Sequence, residues 1–64
     1  MNTDEAANRL DNAGWHVVWG SRRDGVWMLT VARKGHHGLE RGSGESFSHA
    51  VIAAWTAVEA RGDE

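Results

Sequence analysis

One stretch constrains this chain more than any other. Val26-Trp27-Met28-Leu29-Thr30-Val31-Ala32 reads as a β-strand, because it is β-branched and aromatic and contains no breaker. Side chains alternate across a strand, so Val26, Met28, Thr30 and Ala32 share one side while Trp27, Leu29 and Val31 share the other. Both sides are apolar. An open antiparallel sheet commonly keeps one face wet, so each face of this strand asks for a cover. The chain has 64 residues in which to supply two covers, and a domain of that size buries only roughly 60% of its unfolded surface.

The neighbouring segments show what is available. Trp15-His16-Val17-Val18-Trp19 predicts a partner strand, with Trp15, Val17 and Trp19 on one face and His16 and Val18 on the other. Ser21-Arg22-Arg23-Asp24-Gly25 is polar and ends in Asp-Gly, which predicts a five-residue hairpin connection. Before it, Ala6, Leu10 and Ala13 form the stripe of a short helix. Asn2 or Thr3 is its cap, and Asp4 and Glu5 suit the positive end of its dipole. Gly14 suits a left-handed C-terminal cap, with Trp15 folding back on Leu10. The last helix starts from Ser46 as cap, runs Phe47 to Ala60 without a breaker, and ends near Gly62.

Its core arc is Phe47, Val51, Ala54 and Val58, with Ala50 and Trp55 at the edges. Ile52 lies beside Trp55, and this ridge is either a wide core contact or an interface. Gly35, Gly38, Gly42 and Gly44 punctuate residues 34–45, where a third strand at 38–42 and a loop are equally compatible with the spacing. The reading is a single α+β domain over residues 1–64, of order αββα. Its antiparallel sheet has two strands, or three if the glycine segment pairs, and is packed by two helices. Either each helix takes one sheet face, or both take the same face and a second copy covers the other. The first helix offers little beyond Leu10, so the second arrangement predicts a homodimer using some of Trp19, Trp27, Ile52 and Trp55. Tryptophan at interface centres carries much of the binding energy in such contacts.

Reactive chemistry is sparse. With no cysteine there is no disulfide and no thiolate zinc site. His16, His36, His37 and His49 lack the spacing of a metal motif, and Ser43, Ser46 and Ser48 lack a nucleophile elbow. Gly42-Ser43-Gly44 is not followed by the Lys of a phosphate-binding loop. The expectation is a non-enzymatic protein with no cofactor and no metal. No apolar run approaches the ~18 residues of a membrane span, and Met1 to Glu5 do not open a signal peptide.

The net charge is −2, yet Arg22, Arg23, Arg33, Lys34 and Arg41 stand against Asp24 and Glu40, a local +3. Those five cations are the candidates for an alternative function, binding double-stranded RNA or DNA. The element order resembles that of double-stranded RNA-binding domains, as does Gly42-Ser43-Gly44-Glu45-Ser46 before the last helix. That family places phosphate-gripping lysines there, whereas this chain has Phe47, Ser48 and His49. Arg22-Arg23 and Arg33-Lys34 also sit at opposite ends of the second strand, about 25 Å apart.

A broader resemblance rests on Ala6 to Gly14 leading into Trp15–Trp19, on Gly25-Val26-Trp27, and on Gly44-Glu45-Ser46 before the alanine-rich 50–60 helix. Over most of its length the chain resembles small phage and prophage proteins of the phage ABA-sandwich type. The resemblance implies an αββα architecture and a phage or prophage origin, and it carries no activity or functional residues. With the tryptophan surplus, the leading expectation is a non-enzymatic accessory protein in the cytoplasm of a bacterial host that binds protein, either a second copy or a host factor.

Overall fold

The computed structural model describes residues 1–35 and 38–61. His36, His37 and the expected helix end at Gly62 lie outside the described residues. The order is α1 (Thr3–Asn12), β1 (Trp15–Arg23), β2 (Val26–Arg33), β3 (Leu39–Gly44) and α2 (Phe47–Ala60). The strands form one antiparallel sheet in the order β1-β2-β3. The protein is therefore an α+β domain of αββα type, and the glycine-rich segment is a third strand.

Local chemistry sets the helix ends. Asn2, rather than Thr3, caps α1, and the Glu5 N–H donates to its Oδ1 at 2.8 Å. Gly14 adopts φ +87°, the left-handed conformation that turns the chain into β1. Trp15 then buries in the same cluster as Leu10. At the start of α2, the His49 N–H donates to Ser46 Oγ. Arg61, just past α2, pairs with Glu40 of β3 and stands 5.4 Å over the Trp15 ring, tying three elements at one end.

Two features of β1 differ from the sequence expectation. The connection to β2 is a two-residue turn, because Asp24 and Gly25 both take positive φ (53° and 77°) and Arg23 pairs directly with Val26. A turn of that kind matches the twist of paired strands, so Ser21 to Arg23 stay in the ladder despite their polarity. The register also shifts between Val17 and Trp19. Val17 pairs with Val31, but Trp19 pairs with Thr30. The extra residue at this bulge puts Trp19 on the opposite face from Trp15 and Val17, where strict alternation had grouped all three.

Both helices lie on one face. Leu29 and Val31 of β2 bury there with Ala50, Val51, Ala54 and Val58 of α2, joined by Ala6 and Leu10 of α1 and by Trp15. The two helices also touch each other, with a hydrogen bond between the Thr3 and Ser48 hydroxyls. Phe47, expected in the core arc, is half exposed at the helix start and meets Trp27 edge-on at 5.6 Å.

The glycines of β3 explain how α2 fits. A Cβ at Gly42 would stand 2.1 Å from the Ala54 main-chain N and 2.4 Å from the Ala50 carbonyl O. Helix backbone therefore rests directly on strand backbone, with only Ala50 and Ala54 between. These glycines serve packing rather than flexibility. Gly42→Ala is expected to cost about 3 kcal/mol, since main chain cannot yield as a flexible side chain does. Ser43→Ala, exposed next door, should stay within about 0.5 kcal/mol. Urea unfolding of the two variants checks the contrast.

Candidate interaction surface on the open face of the sheet

Strand register sorts every sheet residue by face. On the helix side the levels are Trp15–Arg33, Val17–Val31–Glu40, Gly20–Leu29–Gly42 and Arg22–Trp27–Gly44. On the other side they are His16–Ala32–Leu39, Trp19–Thr30–Arg41, Ser21–Met28–Ser43 and Arg23–Val26. Among the described residues no helix covers this second set.

Its apolar members stand in solvent. Trp19 is 66% exposed, Leu39 54%, Val26 44% and Met28 43%. With about 3.3 Å per residue and ~4.8 Å between strands, the face measures roughly 25 by 15 Å including side chains. That footprint, on the order of 400 Å², carries Trp19, Met28, Val26 and Leu39 interleaved with Ser21, Thr30, Ser43 and Arg41. Around it stand Arg23, Arg41 and His16, and Glu45 follows β3 at the Arg23–Val26 end.

The sequence candidates do not come together as one surface. Trp19 alone belongs to the open face. Trp27, Ile52 and Trp55 are half buried on the helix side, packed against the core cluster. The Ile52–Trp55 ridge is thus a flank of the core, and the Trp55 indole N–H is buried with no acceptor among the described residues. The basic candidates also divide. Arg23 and Arg41 belong to the open face, Arg22 and Arg33 to the helix side, and Lys34 to the turn after β2. Sequence reasoning missed Val26, Met28 and Leu39 as surface residues. The Asp24-Gly25 turn signal could have found the first two, because a two-residue turn pairs Arg23 with Val26 and so fixes which side of β2 faces which.

A second apolar feature lies on the helix side, where β1 runs out from under α1. Val17 and Phe47 border a groove of about 230 Å³ floored by Leu10, Trp15 and Val51. It is smaller than the ~300–1,000 Å³ of ordinary ligand pockets. Among the described residues no group of three or more His, Asp or Glu gathers as metal ligands, and no helix is long and apolar enough to cross a membrane.

The two tryptophans of β1 should therefore respond oppositely to truncation. Trp15→Ala is expected to cost about 3–5 kcal/mol, as for other buried aromatic residues. Trp19→Ala should change the stability of the dilute protein by less than about 0.5 kcal/mol. Chemical unfolding followed by far-ultraviolet circular dichroism reads both. Comparison of the chain with known protein families, with curated proteins and with solved structures finds no match.

Proposed function

We propose that this protein acts by binding protein through the open face of its sheet, with no catalysis and no cofactor of its own. One observation carries the reading: both helices occupy the same face, leaving Trp19, Met28, Val26 and Leu39 exposed together on the other. An exposed tryptophan beside a methionine and aliphatic side chains is the composition of an interface centre. The likeness to phage ABA-sandwich proteins supports a phage or prophage accessory role in a bacterial cytoplasm. In such a layered arrangement the sheet is covered on both sides, and here neither α1 nor α2 supplies the second cover.

A nucleic-acid reading has one observation in its favour, which is that Arg23 and Arg41 share the open face with Trp19. Two phosphate contacts release few counterions, giving a salt slope of only about −2. A gel shift at low salt tests it, and retention of duplex RNA or DNA that Arg23→Ala and Arg41→Ala abolish would favour it.

For protein binding, sedimentation equilibrium is the test. From ~10 µM to ~500 µM the apparent mass should rise from the 7.0 kDa of the monomer towards twice that value. Met28→Glu, at the middle of the face, should hold the chain at monomer mass with its fold intact. Monomer mass throughout, or association that Met28→Glu leaves unchanged, would contradict self-association by this face.

A further inference from the structure

The open face is self-complementary. We infer that its partner is a second copy of the same chain, stacked face to face about a two-fold axis that runs parallel to β2. This inference rests on the reading of the open face as a protein-binding surface.

The argument comes from the levels of the sheet. A two-fold axis along the central strand lays β1 of one copy over β3 of the other and keeps each level opposite itself. Met28 then meets the partner's Met28 on the axis. Trp19 and Arg41, which flank Thr30 at one level, face each other across the interface twice. An arginine over a tryptophan ring is favourable, the more so when water is excluded. Ser21 and Ser43 flank Met28 at the next level and likewise meet as a hydroxyl pair.

A charge contact lies at the end of the sheet. Arg23 pairs with Val26, and Glu45 follows Gly44, which is the partner of the adjacent Trp27. Arg23 and Glu45 therefore mark opposite edges of the same end of the sheet, and both are exposed. The axis along β2 brings each Arg23 against the partner's Glu45. An in-plane axis across the strands would instead lay β1 on β1 and β3 on β3, with the ends exchanged. Arg23 would then approach the partner's His16, Trp19 the partner's Ser21, and Asp24 of the hairpin turn the partner's Lys34. The Trp19–Arg41 and Arg23–Glu45 contacts, each made twice, together favour the axis along β2.

Size and twist are compatible with this choice. Packed sheets lie about 10 Å apart and cross at about −30°. That rotation displaces the sheet ends sideways by about 5 Å, which the long side chains of Arg23 and Glu45 can span. Two such footprints, about 800 Å² together, fall below the roughly 1,200–2,000 Å² of stable specific interfaces and suit a weak, transient contact. The pair should form at micromolar to millimolar concentration rather than as a permanent dimer.

The test uses charge exchange in trans. R23E and E45R each set like charges against one another twice in a homodimer. Each alone should associate about tenfold or more weakly than the unmodified chain. Mixed in equal amounts, the two variants form a pair in which both contacts are opposite-charged, so the mixture should regain association to within about twofold. R22E has the same net charge as R23E but belongs to the helix-side level. It should associate like the unmodified chain, and because its pair with E45R keeps only one opposite-charged contact of the two, that mixture should recover less association than the R23E mixture. Circular dichroism confirms the fold of each variant.

If the unmodified chain dimerises while the R23E and E45R mixture stays as weak as either variant alone, this arrangement is overturned and the binding role of the face stands. Rescue of E45R by R22E as complete as that by R23E would overturn it equally, by showing bulk attraction rather than the specific pair. If the unmodified chain remains monomeric throughout, both the arrangement and the self-association reading fail.

Discussion

The contact of α2 with β3 at Gly42 governs the rest of the architecture. Ordinary helix-on-sheet packing is held off by the side chains of both layers, but here a strand glycine meets Ala50 and Ala54 and the two backbones touch. Dispersion attraction falls off steeply with separation, so such a contact packs many atoms per residue despite small side chains. It draws α2 over β3 and β2, which brings Val51, Ala54 and Val58 onto Leu29 and Val31. α1 has little apolar surface of its own and packs alongside α2 rather than on the far side of the sheet. The one-sided arrangement follows, and the open face is its consequence.

Much of this was legible in the residues. The caps at Asn2, Gly14 and Ser46, the alanine-rich stripe of α2 and the two-sided apolar pattern of β2 each state a local rule that the fold obeys. The third strand was ambiguous for a physical reason. Glycine is depleted from strands because it offers no side chain to pack, yet in β3 the missing side chain is the feature that packs. No local rule reveals that, since it depends on which helix surface arrives opposite. The bulge at Val17–Trp19 was likewise hidden. One extra residue leaves the composition of the strand unchanged and reverses the face of everything after it.

That reversal matters most for the candidate surface. Strict alternation puts Trp19 on one face with Trp15 and Val17. The bulge moves it beside Thr30 and Arg41, where it becomes the most prominent apolar side chain of the open face. The other aromatic candidates go the opposite way. Trp27 finds Phe47, and Trp55 joins the flank of the core. An apolar set of four tryptophans in a short chain is thus divided by geometry, with three packed on the helix side and one exposed on the open face. A bulge on an edge strand also disrupts edge-to-edge pairing, which favours association by the face of the sheet over extension of its ladder.

The central claim is that the helix-side tryptophans belong to the fold and Trp19 belongs to the interface. Nuclear magnetic resonance of the indole N–H groups resolves one signal per tryptophan and tests this directly. On dilution from ~500 µM to ~10 µM, the Trp19 signal should shift progressively while those of Trp15, Trp27 and Trp55 stay in place. A Trp19 signal that never moves, or movement confined to Trp27 and Trp55, would contradict the account.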